Sequence, residues 1–207
     1  ISSGSRRVCE TLQSHGHKAY VVGGAVRDLL IGAEPKDFDV ATDATPEEIR
    51  RHFRRSRIIG RRFQIVHVMM GAETIEVTTF RGALGADAKT DEHGRVLHDN
   101  VFGSEREDAA RRDFTANALY FDPATEAVID YHRGVADLKQ KTLRVIGEPR
   151  QRYREDPVRM LRAVRLAAKL GLIIDPEART PIRELADLLE NVPPARLFDE
   201  MLKLLTS

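Results

Sequence analysis

The stretch Val21-Val22-Gly23-Gly24-Ala25-Val26-Arg27-Asp28-Leu29-Leu30-Ile31-Gly32, followed after four residues by Asp37-Phe38-Asp39-Val40, decides the fold. Ala19–Val22 is a short β-prone run that stops at a glycine pair, and Ala25–Ile31 reads as a helix ended by Gly32. Asp37–Val40 then reads as a second strand with strict alternation, which sets Asp37 and Asp39 on one face. Two carboxylates at that spacing repel unless a divalent cation sits between them. Asp37 and Asp39 are therefore candidate metal ligands. The glycine pair, between a strand and a helix, lets the backbone N–H groups of Gly23 and Gly24 approach phosphate oxygens, and Arg27 adds a guanidinium clamp.

A third carboxylate completes a two-metal site for phosphoryl transfer, in which charge is stabilised on both the attacking 3′-oxygen and the leaving pyrophosphate. Glu76 is the candidate. It lies in Thr74-Ile75-Glu76-Val77, within one of two strands, Gln64–Met70 and Thr74–Phe80, that Gly71-Ala72-Glu73 joins as an antiparallel hairpin. Upstream, Arg6–His15 has an amphipathic helical pattern, and Thr45 caps a helix that opens on Pro46 and runs to about Phe53. Gly82–Asn100 reads as a long mobile loop, followed by a helix over Asp108–Ala118 and strands at Leu119–Phe121 and Val128–Asp130. From Asp156 onward the pattern is helical, with apolar stripes through Val158, Leu161, Val164 and Ala168, then over Pro181–Leu189 and Arg196–Leu205. The shift near Gly147–Tyr153 divides an α/β head, residues 1–147, from a helical neck, residues 148–207.

Composition agrees with a folded, soluble chain and excludes several other classes. An apolar fraction of 42% and a charged fraction of 31% are those of a soluble globular chain. No run approaches the roughly 20 apolar residues of a membrane span, and no basic-then-apolar leader opens the chain, so a cytoplasmic protein is expected. Cys9 is the only cysteine, which rules out an intramolecular disulfide. Net charge is +1, yet Arg50, Arg51, Arg54, Arg55, Arg57, Arg61 and Arg62 follow one another without an intervening acid, a local patch suited to phosphate.

The opening motif resembles the head motif of class II nucleotidyltransferases, the family of bacterial poly(A) polymerases and CCA-adding tRNA nucleotidyltransferases. Arg111-Arg112-Asp113-Phe114-Thr115-x-Asn117-Ala118 resembles that family's ribose-recognising segment, and Arg154-Glu155-Asp156-Pro157-Val158-Arg159-Met160-Leu161-Arg162 its nucleotide-selecting helix. The resemblance implies an α+β fold, with a polymerase β-like head of mixed sheet flanked by helices and an α-helical neck behind it. It implies Mg²⁺ at Asp37 and Asp39, a catalytic role for Asp113, and contacts to the sugar side of the nucleotide by Asp113, Arg112 and Asn117. Asp156 and Arg159 are implied to face the base. They lie about one helical turn apart and offer acceptors and a planar donor fork, and Arg162 is a turn further on, within reach of phosphate. A plain helix N-cap before Pro157 is the competing reading of Asp156.

Within the family, Ile58-Ile59-Gly60-Arg61-Arg62-Phe63-Gln64-Ile65-Val66-His67-Val68 resembles the bacterial poly(A) polymerase signature and makes Arg61 and Arg62 RNA contacts. The expectation is AMP addition from ATP to an RNA 3′ end by a monomer, with CCA addition from CTP and ATP as the alternative. A catalytically silent RNA-binding head is disfavoured because Asp37, Asp39 and Glu76 are all present, and a dinucleotide-binding oxidoreductase because Gly23-Gly24 does not extend to the full glycine fingerprint, which Asp43 alone does not rescue. Family members continue into a helical body and a basic tail, so the chain is expected to be a fragment.

Overall fold

The apolar run before Gly23 becomes an interior strand of a mixed sheet. The computed structural model describes residues 1–60, 63–82, 89–90, 96–98 and 101–206. Chain order is α1 (Ser3–Ser14), β1 (Ala19–Val22), α2 (Gly24–Leu30), β2 (Asp39–Thr42), α3 (Pro46–His52), β3 (Ser56–Ile59), β4 (Ile65–Met70) and β5 (Glu73–Thr79). Two short strands, β6 (Lys89–Thr90) and β7 (Val96–His98), precede α4 (Glu105–Arg111), β8 (Leu119–Asp122), β9 (Ala127–Asp130), α5 (Gly134–Lys139) and β10 (Thr142–Leu143). The remainder is helical, α6 (Pro149–Glu155), α7 (Val158–Leu170), α8 (Pro176–Glu184) and α9 (Pro194–Leu205), with β11 (Ile173–Ile174) between α7 and α8.

Seven strands pair in the order β3-β4-β5-β2-β1-β8-β9, and within that sheet only β2 and β5 run parallel. Alternation gives the two faces different fates. On one, Val21, Val40, Val66, Val68, Ile75, Val77 and Leu119 are buried in the main core, against α1 and α3. On the other, Tyr20, Val22, Ala41, Phe80 and Tyr120 join Ala109 of α4 in a smaller cluster that covers only part of the face. The uncovered part is where polar residues can stay wet. The main core continues without a break into the helical half through Tyr153, Met160, Ala163 and Leu166. The expected α+β architecture of mixed sheet and flanking helices is what forms. Among the described residues no helix is long and apolar enough to cross a membrane.

Three expectations are corrected. The strand expected over Asp37–Val40 starts at Asp39, because β1 ends at Val22, directly opposite Asp39, and leaves Asp37 and Phe38 no partner there. The helix expected over Asp108–Ala118 starts earlier, on a capping box formed by Ser104 and Glu107, and stops at Arg111. Residues 112–114 are extended because the chain there pairs with residues 144–146: Thr115 N–H donates to Arg144 O and Ile146 N–H to Asp113 O, each at 3.0 Å. A tertiary ladder overrides the local helical pattern. Asp156 is not the N-cap of α7. It follows α6 with extended backbone, and its side chain is engaged elsewhere. The long loop expected over Gly82–Asn100 lies mostly outside the described residues, as do Arg61 and Arg62.

Behind the main core, His15 and His52 stack with ring centroids 4.0 Å apart, and His17 stands 5.8 Å from His52. Desolvation, His15 and His17 lower the His52 pKa from its ordinary value, Arg51 adds to this, and Glu48 opposes it; Asp43 faces His17 at 3.4 Å. A folded pKa below the unfolded one gives stability that is present above about pH 6.5 and lost as pH falls through the folded value. Thermal unfolding between about pH 7 and pH 5 is therefore expected to show a shallower loss of Tm in His52→Gln than in the parent. Parallel curves would overturn the assignment.

Candidate active site

On the uncovered face lies a cleft of about 660 Å³. Its floor is Val22, Asp39, Glu76 and Thr78 from the sheet; its walls include Asp108, Arg112 and Asp113 on one side and Arg152, Asp156, Arg159, Arg162 and Arg196 on the other. Asp39 and Glu76 face each other because β2 and β5 run parallel and in register at these positions. Asp39 keeps a surface open to the cleft, but loss of hydration on the floor, then the Glu76 charge and, more weakly, the Asp37 charge push its pKa up to about 6, against the lowering effect of Arg112. Asp37, two residues upstream, is exposed. Glu76 also meets His67, Nε2 to Oε1 at 3.3 Å.

Among the described residues no three His, Cys, Asp or Glu side chains gather closely enough to cage an ion. Mg²⁺ commonly keeps several waters and is held by one or two carboxylates plus substrate phosphates, so it needs no all-protein cage. The donors are hard carboxylate oxygens, and the repulsion that raises Asp39 is what a cation relieves. The residues present fit Mg²⁺.

At Gly23 the chain turns with φ +77°, a conformation that costs glycine little, and its N–H donates to Leu119 O at 3.0 Å. This places the Gly23-Gly24 turn at the cleft end of β1, close to Arg112, whose Nη1 stands 3.7 Å from where a Gly23 side chain would begin. Arg27, expected as a phosphate clamp, is buried instead. It donates to Asp28 Oδ1 from Nε at 2.8 Å and Nη2 at 2.7 Å, and to Asn117 Oδ1 from Nη1 at 2.6 Å. Its work is to lock α2 to the turn at 115–117.

Asn117 in turn donates to Asp113 Oδ1 at 3.3 Å, and the Phe114 N–H donates to the same oxygen at 2.8 Å. Arg162 Nη2 lies 2.7 Å from Asp113 Oδ2, an ion pair by distance without hydrogen-bond geometry, so that Oδ2 and Arg162 Nε remain buried without a hydrogen-bond partner. Burial raises the Asp113 pKa, but Arg162, Asn117, the Phe114 N–H and Arg159 outweigh it and hold the carboxyl below its ordinary range. Two unsatisfied buried polar atoms at a cleft wall are a place for a ligand hydroxyl.

The expected base-facing pair comes to the same wall, but not as two free groups. Both oxygens of Asp156 accept from Arg196, at 3.1 and 3.0 Å. Arg159 Nη1 donates to Arg152 O at 2.8 Å and Glu155 Oε2 at 3.2 Å, and no other hydrogen bond engages its guanidinium among the described residues. Sequence reasoning missed three supports. Arg152 Nη2 donates to the carbonyls of Arg111 and Arg112, at 2.7 and 2.8 Å, and so closes the end of α4. Arg196 comes from α9, too far along the chain to be seen. Asp108 accepts from Arg112 Nη2 at 3.0 Å and Tyr120 Oη at 2.6 Å; its spacing of four from Arg112 was a legible helical pairing. Burial opposes the Arg112 charge, but Asp108 and Tyr120 outweigh it and keep the group firmly protonated.

Comparison with known proteins follows the geometry. Residues 19–144 match a family model described as the poly A polymerase head domain, and residues 171–207 one described as a probable RNA and SrmB-binding site of polymerase A. The chain is 56% identical over 211 residues to poly(A) polymerase I of Escherichia coli O6:H1, covering 99% of this chain and 45% of that protein. It is 39% identical to a CCA-adding enzyme of Levilactobacillus brevis, covering 98% of this chain and 50% of the other. The solved Bacillus stearothermophilus CCA-adding enzyme in complex with CTP superposes with a TM-score of 0.87 at 35% identity, over 99% of this chain and 49% of that one. The chain thus spans about half the length of the relatives it matches.

Proposed function

We propose, from the premise that this chain belongs to the poly(A) polymerase head-domain family, that it is the catalytic part of an enzyme that adds AMP from ATP to RNA 3′ ends without a template. The observation that carries this reading is the Asp39–Glu76 register on the open cleft floor, with Asp37 beside it. Residues 1–147 serve as head and 148–207 as neck, and the protein acts as a cytoplasmic monomer. The RNA 3′-oxygen bonds to the α-phosphorus of ATP as the bond to pyrophosphate breaks. Asp37, Asp39 and Glu76 are the residues that would hold Mg²⁺ together with the substrate phosphates, and bound there it would supply positive charge for the transfer. Arg112, which the resemblance put on the sugar side, stands beside the Gly23-Gly24 turn and is assigned to the phosphates instead. Asp113 is held ionised by Arg162 and oriented by Asn117, which Arg27 anchors, and it accepts from the ribose. Arg61 and Arg62 are assigned to RNA from their sequence context alone.

Because Asp156 is occupied by Arg196, base reading falls to Arg159, with Asp156 fixing the wall around it. Arg159→Ala is expected to raise KM for ATP and to blur ATP against CTP and GTP by about 1–3 kcal/mol. An unchanged preference would make Arg159 only a brace for the Arg152 carbonyl. CCA addition is the second reading, favoured by the TM-score of 0.87 to the CTP-bound CCA-adding enzyme. Incubation of the intact protein with single labelled nucleotides separates the two. Long AMP tails on oligo(A) with ATP alone support the proposal; ready CMP addition to tRNA lacking its CCA end, with no more than one AMP on oligo(A), would replace it.

A further inference from the structure

The sheet registers connect the candidate catalytic carboxylates to the basic edge of the molecule. Arg57 of β3 lies opposite His67 of β4, His67 opposite Glu76 of β5, and Glu76 opposite Asp39 of β2. Directly paired residues share a face, and the His67–Glu76 contact at 3.3 Å shows which face it is. One transverse row therefore runs from an edge arginine to Asp39. The neighbouring row repeats its arginine end: Met69 N–H donates to Arg55 O at 2.9 Å, and Met69 pairs with Thr74. One row thus runs from Arg57 to Asp39, and the row beside it starts at Arg55 and reaches Thr74.

The charges at the arginine end meet little opposing charge among the described residues, Glu48 near Arg51 being the exception. Arg50, Arg51, Arg54, Arg55 and Arg57 are all exposed, and none makes a salt bridge or side-chain hydrogen bond with a described residue. Other arginines are matched, as in Arg144 with Asp137 and Asp175, Arg150 with Glu184, and Arg165 with Glu200, and what sets this group apart is its density, five arginines between positions 50 and 57 without an acid among them. A self-repelling cluster left unneutralised in a chain of net charge +1 is suited to an external polyanion. Position says which part of it. Neighbouring strands are about 4.8 Å apart, so Arg57 lies about 14 Å from Asp39 along the row. The triphosphate must react at Asp39 itself, so the anion at the edge strand belongs to the chain being extended. Ile59 and Ile65, paired one pleat from Arg57 towards the turn, add an apolar strip beside the charged one, against which bases can lie.

We propose that Arg55 and Arg57 form a backbone-phosphate site for RNA nucleotides a short way upstream of the 3′ end, so that single-stranded RNA crosses β3 and β4 along the sheet row and delivers its terminal hydroxyl to Asp39. The inference rests on the catalytic reading of Asp39 and Glu76. Both arginines are exposed on an edge strand, and Arg55→Gln/Arg57→Gln is expected to fold and melt like the parent.

The test is binding of labelled oligo(A) to the intact protein by anisotropy across a salt series, in a background carrying Asp39→Asn so that no turnover is needed. The double variant should reduce the slope of log affinity against log salt by about 1.4, roughly 0.7 for each phosphate contact on a single strand. In the active background it should raise primer KM several-fold and leave kcat at saturating primer and KM for ATP unchanged. An unchanged salt slope would overturn the track, and a raised KM for ATP with unchanged primer affinity would assign the arginines to the triphosphate instead. RNA binding that needs these arginines in a protein that adds no nucleotide would refute the proposed activity and keep the track; AMP addition with unaltered primer affinity in the double variant would do the reverse.

Discussion

Asp39→Ala is expected to lower AMP incorporation by at least about a thousandfold while leaving the fold intact. Loss of a single preorganised donor in other enzymes costs about 10²–10³, and on the proposed reading Asp39 does more than one donor, because the cation it would hold would supply charge to both oxygens of the transfer. The fold should tolerate the change. Asp39 makes no hydrogen bond or salt bridge with any described residue, and it stands at the first position of β2, where its backbone pairing does not depend on the side chain. The sign of its pKa shift says more. A carboxyl raised to about 6 in the folded state contributes stability only below its unfolded value, and that contribution is lost as pH rises through 6. In chelator at neutral pH, therefore, Asp39→Asn should melt no lower than the parent, and its gain, screened by the open cleft, should not exceed about 1 kcal/mol. In Mg²⁺ the order should reverse, because ligand binding stabilises only the parent. Parent-like turnover in Asp39→Ala with an unaltered Mg²⁺ requirement would sink the site.

How much of this was legible in the sequence depends on whether the deciding contact was local. The strand before Gly23, the helix after it, the Gly71 hairpin and the Thr45 cap are set by neighbours in the chain, and all form where expected. Alternation made Glu76 a candidate, but its place beside Asp39 is set by the parallel pairing of β2 with β5, which no local pattern announces. Arg27 misled because an exposed arginine and a buried one read alike. Its fate depends on Asn117, 90 residues away. The Asp108–Ala118 helix misled for a related reason: the Arg144–Ile146 segment competes for residues 113–115, and no local pattern announces a competitor. Arg196 belongs to the same class, as a partner for Asp156 supplied from 40 residues on. Motifs therefore located the site, while its supports came from pairings between distant segments.

Asp108→Ala is expected to destabilise the protein by about 3 kcal/mol and to weaken nucleotide binding together with it. Asp108 is 6% exposed and anchors three donors: Arg112 and the Tyr120 hydroxyl on one oxygen, the Arg81 N–H on the other. Removing one partner of a buried ion pair costs about 3–5 kcal/mol, because the remaining charge stays uncompensated. The lower end applies here because the Arg112 side chain is 24% exposed and its tip can reach water in the cleft. Tyr120 adds its own share as a buried hydroxyl left without an acceptor. The functional loss comes from the same geometry. Arg112 is held over the Tyr120 ring at 5.3 Å and beside Gly23 only while Asp108 fixes its Nε and Nη2. Without Asp108 the guanidinium gains rotamers at the place where phosphate is to be met. Denaturant unfolding and ATP binding, measured on Asp108→Ala and Asp108→Asn, check both halves. Asn keeps one acceptor oxygen, enough for the Arg81 N–H or for the tyrosine but not for both, turns an NH2 group towards the other donors and removes the charge, so it should recover a small part of the stability and little of the affinity. A parent-like midpoint in Asp108→Ala would mean that Arg112 needs no anchor. Full recovery of affinity in Asp108→Asn would mean that the carboxylate positions Arg112 by shape and not by charge.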